Sequence, residues 1–241
     1  MKPIIGLVGR LYSGDSNIIC VEEVRKAITN LGGIPLLILP VDKVDINTKN
    51  STKEVFYNNE EINDLKNILD LCDGFILPGG DTWYHLDEVI INYAIKKDIP
   101  LLGICLGMQT LSKVLSNDKR TSYDNTIRNN TYINHFEVDK KYVHKVNIKE
   151  NSKLYSIIGK SEILVNSRHN YHTPLINNNY ISAISEDGVV EGVEDPYKSF
   201  ILGVQWHPET FFEEDINSRK ILSSFISTCL KNPQKFHKKS L

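Results

Sequence analysis

The stretch Pro100–Gln109, PLLGICLGMQ, carries an apolar run into a cysteine with a glycine two positions away on either side. A cysteine that merely filled a core strand would need neither Gly103 nor Gly107. Pro100–Ile104 reads as a buried strand, and Leu106–Leu115 reads as a helix whose Leu111, Val114 and Leu115 pack on a sheet. Strand, sharp turn and helix with glycines at both flanks is the architecture of a nucleophile elbow, in which backbone and helix approach too closely for Cβ atoms. Two chemical results follow for Cys105. The helix N-terminus places partial positive charge beside its sulfur, which favours the thiolate. The amide of Leu106 points to where a substrate carbonyl oxygen would gain charge. From this stretch alone, a catalytic and a core cysteine are about equally supported.

The flanking sequence repeats the same rhythm. Pro3–Val8, Ile34–Leu39 and Gly74–Leu77 are apolar runs; Val21, Val24, Ile28 and Leu31 mark one helix face, Ile62, Leu65 and Leu69 a second, and Asp87–Lys97 a third helix. Strands that alternate with helices argue for an α/β fold with a mostly parallel sheet and helices on both faces. The runs hardly alternate in polarity, as strands buried on both faces should not. Residues 41–60 are polar and irregular. So is the longer excursion from Asn117 to Lys141, which a compact domain tolerates mainly where it serves function. Beyond it, Tyr142–Ile148, Ile163–Val165, Tyr180–Ile184, Val189–Val193 and Phe200–Gln205 predict an antiparallel extension followed by a last core strand. Leu222, Phe225, Ile226 and Cys229 line a terminal helix, and residues 231–241 carry no pattern. No repeat or linker divides the chain, so 1–241 reads as one domain with a flexible tail.

Composition narrows the function classes. A formal net charge of −2 over 241 residues gives no electrostatic reason to expect nucleic acid as a partner. No apolar run reaches the ~20 residues of a membrane span, and the N-terminal MKPIIGLVGR is too short in its apolar part for a signal peptide. Cys20, Cys72, Cys105 and Cys229 are far apart and form no metal-ligand spacing, which fits free thiols in a reducing, cytoplasmic setting.

A thiol nucleophile needs a base, and Gly203–Glu209, GVQWHPE, offers one. Pro208 biases His207 toward an extended backbone, and side chains two apart on an extended segment share a side. Glu209 can then accept from one ring nitrogen of His207, leaving the other free for a thiol. Leu77–Gly80, LPGG, ends the third strand; its bare backbone can supply a second oxyanion donor, Gly80 first and Gly79 close behind. A turn is the plainer explanation of Gly79-Gly80, as a solvated strand-end histidine is of His207. Together with the elbow, both gain weight.

GICLGMQ, LPGG and GVQWHPE in this order resemble the class I glutamine amidotransferase superfamily, and within it most nearly the γ-glutamyl-γ-aminobutyrate hydrolase family. VEEVRKAITNLGGIPLLILP, VHKVNIKENSKLYSIIG, ILVNSRHN and ISAISEDGVVEGVED extend the similarity over most of the chain. The resemblance implies a flavodoxin-like three-layer αβα sandwich and a Cys105–His207–Glu209 triad. It also implies an oxyanion hole from Gly80 and Leu106, and hydrolysis of a small γ-glutamyl amide through a thioester without metal or organic cofactor. Gly79, Gln109 and His169 are the candidate substrate contacts; a structural role for His169 is equally supported, and Gln109 also reads as an ordinary helix residue. A homodimer is left open. The match departs from the family at three places: SNDKRTSYDNT replaces a Gly-Gly-containing stretch after the elbow, DTWYH follows LPGG, and Asn170 and Tyr171 stand where His and Gln are usual. His85, His135, His144, His172 and His237 read as surface or loop residues. The competing functions are an ammonia-supplying glutaminase with a synthase partner, a non-catalytic module on the same fold, and a metal site built on Cys105, His207 and Glu209. The last lacks a fourth ligand.

Overall fold

The structure is a computed structural model and describes residues 1–11, 17–41, 56–118, 126–174 and 176–231. The unpatterned tail, most of the SNDKRTSYDNT stretch and much of the polar run after residue 41 lie outside the described residues.

Nine strands form one sheet: β1 (Ile4–Val8), β2 (Ile34–Ile38), β3 (Gly74–Leu77), β4 (Leu101–Ile104), β5 (His144–Ile148), β6 (Glu162–Val165), β7 (Ile181–Ser185), β8 (Val190–Glu194) and β9 (Ile201–Val204). Their spatial order is β6-β5-β7-β8-β9-β4-β3-β1-β2. From β2 to β9 every pairing is parallel, and from β9 to β6 every pairing is antiparallel. The expected mostly parallel sheet with an antiparallel extension is the observed one. β9 is the hinge between the two halves, with Ile104 of β4 beside its Val204.

Among the described residues, six helices, α1 (Glu22–Asn30), α2 (Asn59–Leu69), α3 (His85–Lys97), α4 (Leu106–Leu115), α5 (Lys153–Ile158) and α6 (Ile216–Lys231), complete the layers. Val24 and Ile28 of α1, Leu154 of α5 and Phe225 of α6 pack with Ile5, Leu7, Ile76, Leu102 and Val204 on one face of the sheet. Leu65 and Leu69 of α2, Ile90 of α3 and Met108 and Leu111 of α4 pack with Val8, Phe75, Leu77, Leu101 and Ile201 on the other. Neighbouring strand residues point to opposite faces, so an unbroken apolar strand fills both cores. That is why the central runs showed no polar alternation. In the antiparallel half, β5 does alternate, burying His144, Val146 and Ile148 between exposed residues. The helix α5 was not expected from the sequence. At six residues it is too short for a clear period, and it depends on Ser152 accepting from the Tyr155 amide at its N-terminus.

Within the long polar excursion, Ile127–Arg128 pairs with Tyr171–His172, and Phe136–Glu137 pairs with Ser167–Arg168. Part of the excursion is therefore laced onto the segment after β6. Among the described residues, no helix is long and apolar enough to cross a membrane.

Candidate active site

Cys105 leaves β4 with φ 51° and ψ −104° and caps the N-terminus of α4. A non-glycine residue in that region costs about 1–3 kcal/mol and persists only where its surroundings impose it. The two glycines impose it here. A Cβ on Gly107 would lie 2.1 Å from the Leu77 carbonyl oxygen, and one on Gly103 would lie 2.7 Å from the Gly107 carbonyl. Both contacts are to backbone, which cannot step aside. The cysteine is largely buried, at 9% exposure, and packs with the core cluster on one face of the sheet.

His207 follows β9, the parallel neighbour of β4, and the Cys105 amide donates to the Val204 carbonyl at 2.9 Å. The hundred intervening residues thus end beside the elbow. Gly79, just past β3 on the other side of β4, locates the meeting point. A Cβ built there would be 2.9 Å from His207 Cε1 and 3.4 Å from Cys105 Cβ. The bare Gly79 backbone makes room for the imidazole next to the cysteine. His207 Nδ1 lies 2.7 Å from Glu209 Oε1, a buried carboxylate. The backbone route to that pairing differs from the expected extended segment. His207 has φ −110° and ψ 83°, short of a fully extended backbone, and Pro208–Phe211 form a 3₁₀ turn. Proline's fixed φ suits the first position of such a turn, which folds Glu209 back to the ring.

Burial works to lower the His207 pKa, but the charge of Glu209 and the interactions with Cys105 and Glu209 outweigh it, holding the imidazolium up to about 10. Both neighbours thus favour a proton on the ring, beside the sulfur. The amides of the first turn of α4, Leu106 included, have no intrahelical acceptor. Leu106 and the exposed Gly80 follow the carboxyl ends of β4 and β3, the end of the strands where open α/β sheets bind ligands.

The sequence pattern of the family described as Peptidase C26 matches residues 84–209. The chain belongs to the peptidase C26 family. It is 28% identical to a γ-glutamyl-γ-aminobutyrate hydrolase of Escherichia coli K12, with 95% of this chain and 94% of that protein aligned. A CTP synthase of Sulfurisphaera tokodaii is 31% identical over 85% of this chain, which spans only 41% of that larger protein. Among solved structures, the glutaminase domain of Trypanosoma brucei CTPS with bound acivicin superposes with a TM-score of 0.64 at 20% identity, covering 97% of each chain. The family is one of amide-bond hydrolases of the class I glutamine amidotransferase type, and the three-layer fold is theirs.

In this peptidase C26 member, further residues hold the rim in place without having been singled out in the sequence. Asn166 accepts from the His207 amide and donates to the His207 carbonyl, both at 2.8 Å. It clamps the backbone of the histidine from the other half of the sheet. Arg10, 3% exposed, donates through Nε and Nη2 to the Pro78 carbonyl at 3.2 and 2.8 Å, and through Nη1 to Asp87 Oδ2 at 2.7 Å. Its aliphatic stem lies 3.0 Å from where a Gly80 Cβ would be. The LPGG loop is thus braced from β1's end. Nothing in the local pattern of either residue announces these roles, because each partner is at least 41 positions away.

Gln109 is buried, and its amide nitrogen donates to the Tyr171 carbonyl at 2.8 Å and to Gln205 Oε1 at 3.1 Å. His169 is 3% exposed, with Nδ1 3.0 Å from the Tyr171 carbonyl and Nε2 3.5 Å from Glu191 Oε1. The polar nitrogens of both residues are directed into the protein. Two other histidine expectations need correction. His135 and His144 are not surface residues; they are 2% and 5% exposed and gather with His169 around Glu191. The sheet's register and the ribbon pairing of Phe136–Glu137 turn them inward. Burial pushes the His144 imidazole below its ordinary value. Burial alone would raise the Glu191 carboxyl, but the surrounding histidines outweigh it and hold that group well below the usual carboxylate range. His85 and His172 are half-buried, and His237 is outside the described residues.

Proposed function

We propose that the chain is a cysteine-dependent hydrolase that cleaves the γ-glutamyl amide bond of a small γ-glutamyl amine through a thioester. The observation that carries this reading is the strained Cys105 at the head of α4, next to an imidazole that is itself bonded to a buried carboxylate. Such an arrangement supplies a nucleophile, an acid–base group and an orienting group in one place. The similarity to the E. coli hydrolase over nearly the whole of both chains supports the γ-glutamyl amine as substrate.

Cys105 Sγ, as thiolate paired with the His207 imidazolium, attacks the γ-carbonyl carbon. The oxyanion is met by the amides of Leu106 and Gly80, donors fixed before the reaction starts. The imidazolium gives its proton to the amide nitrogen, the C–N bond breaks, and the amine leaves. Water then donates a proton to the neutral imidazole and adds its oxygen to the thioester. Collapse of the second tetrahedral species expels the thiolate and releases the γ-carboxyl product. Glu209 keeps Nδ1 protonated and Nε2 facing the sulfur throughout. Each step uses only side chains, backbone amides and water.

The test is a panel of γ-glutamyl amines and free glutamine offered to the purified chain alone, with both products identified. Release of glutamate and amine from one or more γ-glutamyl amines, at a rate well above that for glutamine, is the expected result. Turnover of glutamine that appears only with an added synthase would instead establish the ammonia-supplying reading, to which the CTP synthase similarity points.

A further inference from the structure

His135, His144, His169 and Glu191 come from four separate segments and are all buried, at 2%, 5%, 3% and 0% exposure. One nitrogen or oxygen from each lies within 4.8 Å of all the others. Each imidazole has one nitrogen tied to the protein on its outer side: His135 Nε2 to Asp187 Oδ2 at 2.9 Å, His144 Nδ1 to the Lys145 carbonyl at 3.2 Å, and His169 Nδ1 to the Tyr171 carbonyl at 3.0 Å. The partners of His135 and His144 only accept, so those nitrogens carry the hydrogens; at His169 the closer partner is the Tyr171 carbonyl, with the Asn129 amide nitrogen 3.4 Å away and donating to the His169 carbonyl. The remaining nitrogens, His135 Nδ1, His144 Nε2 and His169 Nε2, face Glu191 Oε1 at 3.3, 3.6 and 3.5 Å. In a neutral ring each is a lone pair aimed at a carboxylate oxygen. His144 Nε2 makes no hydrogen bond, and the close contacts of Glu191 with His135 and His169 fall short of hydrogen-bond geometry. Buried polar atoms that converge in this way call for an explanation, and an ion among them is one that serves every atom.

We propose that these four side chains bind a divalent transition-metal ion, Zn²⁺ being the natural choice for an imidazole-rich set. Bonds of about 2.0–2.1 Å in a tetrahedral site put ligand atoms about 3.4 Å apart. The three nitrogen–oxygen separations are near that edge, and with all four atoms within 4.8 Å of one another the rings need only close inward to complete the tetrahedron. Protons on the rings could satisfy individual contacts with Glu191; a central cation serves all four groups at once. The outer bonds to Asp187, Lys145 and Tyr171 are the kind that fix tautomer and ring direction in metal sites. Two carboxylates, Glu191 directly and Asp187 through His135, balance the charge of the ion. With four protein ligands and no opening to solvent, the site is structural and separate from the Cys105–His207 chemistry. It joins β5 and β8 to the segment that runs from Asn166 to Tyr171. That segment clamps His207 at one end and receives Gln109 of α4 at the other.

The experiment is elemental analysis of the full chain, purified without chelator or affinity tag, followed by chelation, refolding and titration of the metal-free protein with Zn²⁺ and Co²⁺. About one zinc per chain is expected, with a rise in melting temperature on adding zinc back. Bound Co²⁺ is expected to give tetrahedral d–d bands without thiolate charge transfer. Zinc content should survive in Cys105→Ser and fall at least tenfold in Glu191→Gln and in His144→Gln. Because those last variants could unfold for other reasons, the cobalt spectrum of the unsubstituted protein decides the ligand type independently. The proposal is overturned if the metal-free protein takes up no zinc at micromolar concentration, if zinc is lost with Cys105→Ser, or if bound cobalt shows sulfur ligation.

Discussion

The molecule holds two groups of histidine facing carboxylate, and they differ in one respect. His207 and Glu209 stand at the rim of the sheet, and the ring's second nitrogen faces a cysteine held in a strained backbone. His135, His144 and His169 close around Glu191, and their second nitrogens face that carboxylate, with the Ser167 hydroxyl also 3.5 Å from His135 Nδ1. In the first group the free nitrogen has a proton to exchange with a reacting atom. In the second the lone pairs have no such outlet. Similar residue types therefore support acid–base chemistry in one place and ligation in the other, and what separates them is access and the neighbour across the ring.

The sharpest way to break this distinction is to remove the sulfur. Cys105→Ala is expected to lower turnover of the γ-glutamyl substrate by roughly 10⁵-fold or more, with thermal melting close to that of the parent. Near-normal turnover in steady-state assays would place the chemistry elsewhere. Next in size is Glu209→Gln, expected to cost roughly 10³-fold in kcat because the amide cannot hold the same tautomer. The same variant has a pH signature. The folded-state pKa of His207 is raised from 6.5 to about 10, so the stabilisation it provides is full below its unfolded value and is lost as pH rises through about 10. Melting temperatures taken across alkaline pH should show that loss in the parent, and show it beginning at lower pH in Glu209→Gln. If the two curves coincide, Glu209 is not what retains the proton.

Gly107→Ala probes the frame of the rim. The added methyl meets the Leu77 carbonyl oxygen at 2.1 Å, so overpacking of about 3 kcal/mol is expected in denaturant unfolding. A neutral result would mean that the elbow has room the structure does not show. The smallest expected effect belongs to Asn166→Ala. It leaves every reacting group in place and removes two hydrogen bonds to the His207 backbone. A loss of roughly 10- to 100-fold in kcat with little change in KM fits misplacement of the base. A change confined to KM would make Asn166 a substrate contact instead.

Much of this was legible along the chain because it is local. Strand followed by helix, the Gly103–Cys105–Gly107 turn and the His207–Glu209 spacing depend on neighbours within a few positions, where backbone sterics and periodicity act directly. The parallel half and the antiparallel extension were both readable, since burial on two faces or one leaves its mark on each strand. The short helix α5 and the two small ribbons were not, because elements of two to six residues are held by tertiary partners more than by their own pattern. His135 and His144 were misjudged for the same reason: a histidine in a polar stretch looks the same whether it ends in solvent or in the core.

By itself, then, the order of residues determined an elbow, a histidine–carboxylate pair and a layered sheet to carry them, since each follows from short-range geometry and the period of burial. Only the folded chain decided that Cys105 and His207 meet beside Gly79, that Arg10 and Asn166 brace them, and that His135, His144 and His169 enclose Glu191. Those contacts bridge dozens of positions and are created by strand order and register, which hydrophobic packing selects for the whole sheet at once.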